Sequence, residues 1–467
     1  MGIRQTLRPY QVEVGRAVLD SVLNWRGHTF TVEVARQGGK NELSAQLEVL
    51  LLTLHMLRGA NLVKAAPTYV PQLLISMRRL EERLADAGLG PLCVREEGHA
   101  LRVGKARQVF LSAEPTANVV GATAHFLEID EAQDVEREVF WRAFRPMGAS
   151  TNATTVLYGT PWDGESLLEQ VREANLEAER RDGVKRHFAY DWREVAQHNP
   201  LYLRYVEAER QRLGEEHPLF RTQYLLLPLP GQGGLFSLAQ RAQLQGHHPR
   251  LQGPKPGRTY VAGIDIAGQG EEAESSGSYV PRPRQDSTVV TVGELDFSEC
   301  DETRPEPTVR IVQHYAWRGV PHHQLFPQLV DLLRSVWRCR RVAVDATGLG
   351  AGVASFLEKA LGRSVVEAVT FTAQSKSRLG YDLIAAVNTG RLKMYAADGT
   401  PEGQEFWRQV CHARAHYRAN QTMSFYVDPS EGHDDYLSSM ALLVEAARYL
   451  PRVARGRAPA GLSAITA

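Results

Sequence analysis

The stretch Val34-Ala35-Arg36-Gln37-Gly38-Gly39-Lys40-Asn41 decides the fold of the first half of the chain. It follows the apolar run Phe30–Val34 and precedes a stripe of leucines at helical spacing from Leu43 to Leu54. A strand, a glycine turn and a helix in this order are the context that a P-loop requires, in which backbone N–H groups and the helix N-terminus face phosphate oxygens. The residues predicted to bind ATP here are Arg36, Gln37, Gly38, Gly39, Lys40 and Asn41, with Lys40 reaching the β and γ phosphates.

This loop departs from the usual GxxxxGK[ST] pattern, because Val34 replaces the first glycine and Asn41 replaces the hydroxyl that binds the metal. By itself it is also compatible with an ordinary loop. A second stretch, Phe126–Glu131, is an apolar strand that ends in two acids, as in a Walker B motif. Asp130 is predicted to hold Mg²⁺ and Glu131 to polarise the attacking water.

Two further stretches lie where an ATP-driven motor needs them. Leu7–Gln11 is similar to the adenine-reading motif of helicase-like ATPases, so Tyr10 is expected to stack on the base and Gln11 to hydrogen-bond it. Tyr158–Pro161 is similar to the motif that couples loss of the γ-phosphate to DNA movement. Each stretch is equally well suited to a simple turn.

The order of strand-like and helix-like stretches predicts an α/β protein with two different domains. We expect a RecA-like P-loop ATPase core of the ASCE type at 1–163, a small helical lid at 164–230 and a Pro/Gly-rich linker at 231–257. Three closely spaced strands, a helix and a further strand then predict an RNase H-like nuclease domain at 258–450. A flexible arginine-containing tail is expected at 451–467.

Carboxylates at the ends of apolar stretches mark the second predicted site. Asp265 lies within Val261–Gly268, and Asp345 ends the strand candidate that starts at Arg341. Asp434 and Asp435 precede a helical pattern, where one of them is also suited to capping the helix. An unpaired carboxylate in a buried strand is costly, which favours a site where these acids converge.

Converging carboxylates repel each other and need a cation. Two Mg²⁺ or Mn²⁺ ions about 3.5–4 Å apart would neutralise them and activate water for phosphodiester cleavage. The predicted ligands are all oxygen atoms, which suit these ions better than zinc. Asp265, Asp345 and Asp434 are therefore predicted to be catalytic and to bind metal, together with Asp435. Asp286 is compatible with either metal binding or a turn.

The composition narrows the class of protein. Lys and Arg number 54 and Asp and Glu number 54, so the net charge is zero and any DNA-binding surface must be local. There is no apolar run of about 18 residues and no signal peptide, so we expect a cytosolic protein without membrane contact. The widely spaced cysteines argue against a zinc site or a disulfide framework: they are Cys93, Cys300, Cys339 and Cys411.

Taken together, these motifs resemble the large terminase of tailed bacteriophages over roughly residues 5–450. Arg36–Asn41 resembles the Arg-Gln-x-Gly-Lys-Asn loop of one branch of that family, and His433-Asp434-Asp435 matches its last nuclease motif. Tyr190–Trp192 and Phe220–Tyr224 are similar to landmarks between its two domains.

The resemblance implies a viral motor that hydrolyses ATP to move double-stranded DNA into a procapsid and that cuts concatemeric DNA. It further implies a homo-oligomeric ring on the portal protein, a small terminase subunit as partner, and action in the host cytoplasm, transiently on the procapsid and not in the mature virion. Arg36 would act in cis on the γ-phosphate. Arg102 and Arg107 are candidates for an arginine that acts on a neighbouring subunit's site.

Two rival classes remain at this point. An ATP-dependent helicase or nuclease of DNA repair would share the first half, but a two-lobed helicase needs a second RecA lobe, and residues 240–450 show strands that end in carboxylates instead. A non-enzymatic DNA-binding or scaffold protein with an inactive P-loop is compatible with Val34 and Asn41. Asp130 and Glu131 argue against it.

Overall fold

A computed structural model describes residues 6–115, 123–229, 232–267, 287–300, 306–418 and 420–448. The chain divides into two compact units. Unit 1 comprises Met1–Leu235 and Arg414–Phe425, and unit 2 comprises Phe236–Ala413 and Tyr426–Ala467. The chain therefore returns to unit 1 at 414–425, inside the range predicted to belong to the nuclease domain alone.

Unit 1 is built on a mixed sheet. Its strands are β1 (Thr29–Val34), β2 (Asn61–Ala66), β3 (Cys93–Glu96), β4 (Ala100–Val103), β5 (Ala106–Ser112), β6 (Phe126–Ile129), β7 (Thr154–Gly159) and β8 (His187–Tyr190). Their order is β3-β4-β5-β2-β6-β7-β1-β8. The strands from β5 to β8 in this order pair in parallel, whereas β3, β4 and β5 pair antiparallel. Strands β6 and β7 are buried throughout, which is typical of strands in a parallel sheet covered on both faces.

Helices cover this sheet and form the region after it. They are α1 (Pro9–Leu23), α2 (Lys40–His55), α3 (Leu74–Asp86), α4 (Arg137–Val139), α5 (Leu167–Asp182), α6 (Trp192–Gln197), α7 (Pro200–Leu213) and α8 (Pro218–Gln223). The leucine stripe of α2 is narrower than the sequence predicted, because Leu50 and Leu54 are 40% and 48% exposed. The range predicted as a helical lid also holds β8, which pairs with β1 in the main sheet.

A short segment from late in the chain belongs to unit 1. The strands β9 (Gln232–Gly234), β16 (Ala413–Tyr417) and β17 (Met423–Val427) form a sheet in the order β17-β16-β9. Arg414 pairs with Gly234 across β16 and β9, which run antiparallel. The range predicted to be a linker, 231–257, thus contains a strand as well as the helix α9 (Leu238–Leu244).

Unit 2 contains the mixed sheet expected for an RNase H-like domain. Its strands are β10 (Thr259–Asp265), β11 (Ser287–Asp296), β12 (Thr308–Arg318), β13 (Arg341–Asp345), β14 (Val366–Val369) and β15 (Leu392–Lys393), in the order β14-β13-β10-β11-β12-β15. The strands β10, β11 and β12 run antiparallel, and β13 joins β10 in parallel. The predicted succession of three strands, a helix and a fourth strand is confirmed.

The helices of unit 2 are α10 (His322–Asp331), α11 (Gly350–Leu361), α12 (Ala373–Asn388), α13 (Pro401–His412) and α14 (Asp435–Arg448). Helix α14 packs directly on β10 at Gly263, where a Cβ would lie 2.1 Å from the Ser439 carbonyl oxygen and 2.2 Å from the Leu443 nitrogen. Glycine therefore sets the distance between helix and sheet. Within the described ranges, the helices are all too short or too polar to cross a membrane.

Candidate active sites

The P-loop backbone is shaped by two glycines and by Gln37, which has a positive φ. Gly39 has φ of 95° and lies immediately before α2, and Gln37 has φ of 62°. A Cβ on Gly38 would lie 2.5 Å from Val34 Cγ1 and 2.7 Å from the Ala35 carbonyl oxygen. Only glycine fits position 38, and the left-handed conformation at 39 favours glycine. The loop thus places Lys40 and Asn41 in the first turn of α2, as the sequence predicted.

Lys40 meets the Walker B acids at the carboxyl end of β6. Its Nζ lies 2.7 Å from Oε1 of Glu131. Burial alone lowers the pKa of Lys40, but the neighbouring carboxylates of Glu131 and Asp130 raise it above its ordinary value. Burial raises the pKa of Glu131, but Lys40 reverses that shift and leaves it lowered. The lysine and the glutamate therefore hold each other charged, and the pKa of Asp130 is raised by burial.

Tyr10 and Gln11 contact the P-loop itself. The Tyr10 hydroxyl donates to the Gly38 carbonyl at 2.5 Å, and Gln11 Nε2 donates to the Gly39 carbonyl at 2.8 Å. The Tyr10 ring is 2% exposed and packs 5.1 Å from the Tyr190 ring. Tyr10 is thus almost fully buried against the P-loop and Tyr190, and its predicted stacking on adenine stays a prediction. An adenine contact of Gln11 stays a prediction.

Arg36 is anchored by the region that follows the main sheet. Its Nη1 donates to Gln223 Oε1 at 2.6 Å and its backbone nitrogen donates to the Gln223 carbonyl at 2.8 Å. The Tyr202 hydroxyl donates to the Arg36 carbonyl at 2.9 Å. The guanidinium is thus held by a neutral amide beside the P-loop, and its predicted role at the γ-phosphate stays a prediction.

The two arginines predicted to act across subunits lie at the far end of the sheet from the P-loop. Arg102 Nε contacts Glu96 Oε1 at 2.5 Å. Arg107 belongs to the start of β5, which runs parallel to β2 and has its amino end opposite to the strand ends that carry the Walker motifs. Arg102 pairs with Arg107 across β4 and β5, so both lie away from the strand ends that carry the Walker motifs.

A buried glutamine near the Walker B acids was not anticipated. Gln133 is 4% exposed, and its Nε2 donates to Glu131 Oε2 at 2.8 Å. Its Oε1 accepts from the backbone nitrogen of Thr160 at 3.2 Å, within the predicted coupling stretch. In the sequence, Gln133 could have been noticed because it lies two residues after Glu131.

The first two acids of the predicted nuclease site end adjacent parallel strands. Ile264 and Val344 are register partners, so Asp265 and Asp345 follow side by side at the carboxyl ends of β10 and β13. The backbone nitrogen of Thr347 donates to Asp345 Oδ1 at 2.8 Å. Burial raises the pKa of Asp345 despite this hydrogen bond.

The third acidic position lies at the start of α14. Asp435 is 6% exposed and its Oδ2 accepts from the backbone nitrogen of Ser287 at 2.9 Å, at the start of β11. Asp434 Oδ2 lies 3.7 Å from Nζ of Lys376 in α12. The sequence did not point to Lys376, because this residue lies in a helical stretch without a recognisable motif. Asp286 lies outside the described residues.

Electrostatics show that the acids share one region. Burial raises the pKa of Asp265 well above its ordinary value, and the carboxylates that raise it further, in decreasing order, are those of Asp435, Asp345 and Asp434. Lys376 opposes this shift. The donor set fits Mg²⁺ or Mn²⁺, because it consists of carboxylates whose repulsion a cation would relieve. Within the described ranges, however, no three such side chains are arranged to ligate one ion as they stand.

Comparison with solved structures identifies the fold. The large terminase of a thermophilic bacteriophage, in its second crystal form, aligns with 94% of this chain and 99% of its own, with a TM-score of 0.56 at 12% identity. The complex of that terminase with ADP covers 95% and 100% at a TM-score of 0.54 and 12% identity. Its complex with ATP-γ-S covers 94% and 99% at a TM-score of 0.51 and 12% identity.

No family model matches the sequence, and no curated protein matches it. The structural likeness spans both units at low identity, so it concerns the fold. From the P-loop sheet of unit 1 to the RNase H-like sheet of unit 2, the chain has the fold of a bacteriophage large terminase.

Proposed function

We propose that this chain is the large subunit of a viral DNA-packaging motor, which hydrolyses ATP to translocate double-stranded DNA into a procapsid and cleaves concatemeric DNA with a two-metal endonuclease. The observation that carries the proposal is the presence of two separate charged sites on one chain. The Lys40–Glu131 pair lies at the P-loop of unit 1. The acids around Asp265 lie in unit 2.

In unit 1, Gly38, Gly39 and Lys40 would hold the ATP phosphates and Asp130 the Mg²⁺ ion. The bound ion would withdraw charge from the phosphates. Glu131 would orient water, for which its lowered pKa keeps it ionised at neutral pH. The solved complexes of the thermophilic phage terminase with ADP and ATP-γ-S support nucleotide binding by this fold.

In unit 2, Asp265, Asp345, Asp434 and Asp435 would hold two Mg²⁺ or Mn²⁺ ions, which supply an activated water and a charge clamp on the phosphodiester. The raised pKa of Asp265 supports this role, because perturbed carboxylates that cluster at a sheet edge are typical of functional sites. Asp435 is fixed by Ser287 and Asp345 by Thr347, so the protein orients at least two ligands before an ion arrives.

The partners follow from the proposed activity. We propose a homo-oligomeric ring on the portal protein, recruitment of DNA by a small terminase subunit, and action in the host cytoplasm on the procapsid. These partners are those implied by the resemblance to phage terminases. An arginine supplied by a neighbouring subunit belongs to the same proposal.

The topology of unit 2 disfavours the helicase alternative. A second RecA lobe would present a parallel sheet with its own nucleotide-binding residues. Unit 2 instead pairs β10, β11 and β12 antiparallel and places carboxylates at the ends of β10 and β13. A duplex-unwinding assay separates the classes: we expect no unwinding, whereas ATP-dependent strand separation would support the rival.

The experiment that tests the proposal measures ATP hydrolysis and plasmid cleavage by the purified chain, with and without Mn²⁺. We expect both activities, and cleavage only when Mn²⁺ or Mg²⁺ is added. DNA affinity should fall steeply as salt rises, because phosphate contacts dominate binding. A chain that neither hydrolyses ATP nor cuts DNA would contradict the proposal and support a scaffold role.

A further inference from the structure

Gln133 connects the catalytic glutamate of unit 1 to the Gly-Thr-Pro stretch at 159–161. The Nε2 group donates to Glu131 Oε2 at 2.8 Å and lies 3.2 Å from Asp134 Oδ2. The Oε1 atom accepts from the Thr160 backbone nitrogen at 3.2 Å. Both ends of one buried amide are therefore used, one on a carboxylate and the other on the backbone of a different strand end.

The backbone at 159 is shaped around this amide. A Cβ on Gly159 would lie 2.2 Å from Gln133 Oε1 and 2.7 Å from Leu168 Cδ2. Gly159 ends β7, which is parallel to β6 with Leu157 opposite Ile129, so the glutamine bridges neighbouring strand ends. Any side chain at 159 would push the Gln133 amide away from Thr160.

The Gly-Thr-Pro stretch is also held at its other end. Trp162 is 1% exposed, and its Nε1 donates to the Arg418 carbonyl at 2.7 Å, in the 414–425 segment of unit 1. The Gln421 side chain of this segment lies 3.4 Å from Asp134 Oδ2, beside Gln133. The segment thus contacts both the Walker B turn and the residue that follows the Gly-Thr-Pro stretch.

We infer that Gln133 is a positioning residue for ATP hydrolysis, which fixes the free oxygen of Glu131 and ties its orientation to the backbone of Thr160. This role presupposes that unit 1 hydrolyses ATP, as proposed above. Lys40 holds one carboxylate oxygen of Glu131 and Gln133 holds the other, so the glutamate cannot rotate without altering the hydrogen bond to Thr160. Through Trp162, the same stretch reaches the 414–425 segment.

Gln133→Ala tests the role, with Gln108→Ala as its matched control. Gln108 is a fully buried glutamine of β5 whose side-chain nitrogen and oxygen have no hydrogen-bond partner in the part of the chain that the structure describes. We expect Gln133→Ala to lower kcat for ATP about 10-fold or more, the effect of losing a hydrogen bond to a charged group, while KM stays within about threefold. Gln108→Ala should leave kcat unchanged. Equal kcat in Gln133→Ala and wild type would overturn the inference.

Gly159→Ala tests the same role in a second way, because it should displace the Gln133 amide from Thr160. Its Cβ would collide with the Gln133 amide, so we expect a loss of kcat similar to that of Gln133→Ala. In the double variant the collision with the amide is gone and only the contact with Leu168 Cδ2 remains, so the second substitution should add less than it does alone. If the fold-loss of kcat in the double variant equals the product of the two single losses, the residues act independently. That result would contradict a shared pathway, because the effects of residues that act together do not combine in this way.

Amide hydrogen exchange gives a readout besides activity. Without added nucleotide, peptides covering 158–162 should exchange faster in Gln133→Ala than in wild type and in Gln108→Ala, whereas peptides from unit 2 should not change. Unchanged exchange at 158–162 would overturn the link to Thr160. A wild-type chain that binds ATP without hydrolysing it would instead overturn the proposed ATPase and, with it, the positioning role.

Discussion

At the scale of single residues, partly or fully buried carboxyl groups carry most of the functional information in this chain. Glu131 is kept ionised by Lys40, whereas Asp265 has a pKa raised by burial and by three other carboxylates. The Lys40–Glu131 pair suits a carboxylate that orients water. The carboxylates around Asp265 suit a site that binds a cation. Glu33, the buried residue before Val34 at the end of β1, shows how burial makes a carboxyl group sensitive to pH.

Glu33 should make the stability of unit 1 depend on pH. Burial raises its pKa from 4.5 to about 7, although Arg172 Nη1 lies 3.3 Å away. The folded chain then binds the proton more tightly than the unfolded chain, so the cost of ionisation is absent below pH 4.5 and fully present above about 7. Between about pH 5 and 8, wild type should lose up to about 3 kcal/mol more stability than Glu33→Gln.

Chemical denaturation of both proteins at several pH values measures this difference. Groups distant from Glu33 titrate alike in both proteins and cancel in the comparison. Parallel stability curves over that pH range would show that Glu33 is ionised throughout.

Much of the candidate site could be predicted residue by residue, because P-loop and Walker B chemistry depends on local order along the chain. Lys40, Glu131, Asp265 and Asp345 were predicted in this way. Gln133 and Lys376 were missed, since a glutamine and a helical lysine acquire meaning only through partners that are distant in sequence. The burial of Tyr10 was not predictable, because sequence does not reveal which ring faces are buried.

At the scale of elements, the packing of α14 on β10 brings the start of the helix near the end of the strand, where the acids of the proposed nuclease site lie. Asp435 starts α14 and Asp265 ends β10, and Gly263 lets the helix lie against the strand. The apolar strands were predictable from their runs of buried residues. The strands β8, β9 and β16 were not, because they are short and owe their pairing to partners from distant parts of the chain.

Gly263→Ala should separate the two activities by displacing an element. Its Cβ would collide with backbone atoms of α14, which cannot move as a flexible side chain does. We expect unit 2 to lose about 1–3 kcal/mol of stability and DNA cleavage to fall, whereas ATP hydrolysis by unit 1 persists. Gly253→Ala is the control, because no described atom lies within 4 Å of the added Cβ at that position. Normal cleavage by Gly263→Ala would show that the helix position is not critical.

At the scale of the whole molecule, each unit carries one charged site, and the two sites differ in how their charges are balanced. The site at Lys40 has its own counter-charge, while the acids of unit 2 have Lys376 as a cation among at least four carboxylates. Divalent ions should therefore stabilise unit 2 in particular.

Asp265→Asn should raise the melting temperature of unit 2 in EDTA at about pH 7.5, by about 2–4 °C for each kcal/mol of repulsion removed. Burial and the neighbouring carboxylates raise the pKa of Asp265, so its ionisation costs the folded chain stability, and this cost falls as pH decreases through the raised value. Mn²⁺ should raise the melting temperature of wild type and have little effect on the variant. Scanning calorimetry measures both shifts, and an equal response to Mn²⁺ would remove Asp265 from the metal site.

The most direct test of two independent activities on one chain measures ATP hydrolysis and Mn²⁺-dependent plasmid cleavage in parallel for wild type, Lys40→Ala and Asp345→Ala. We predict that Lys40→Ala abolishes ATP hydrolysis and retains most cleavage, and that Asp345→Ala abolishes cleavage and retains most ATP hydrolysis. Loss of both activities in either variant, with the fold intact, or normal cleavage by Asp345→Ala, would contradict the assignment of a motor to unit 1 and a nuclease to unit 2.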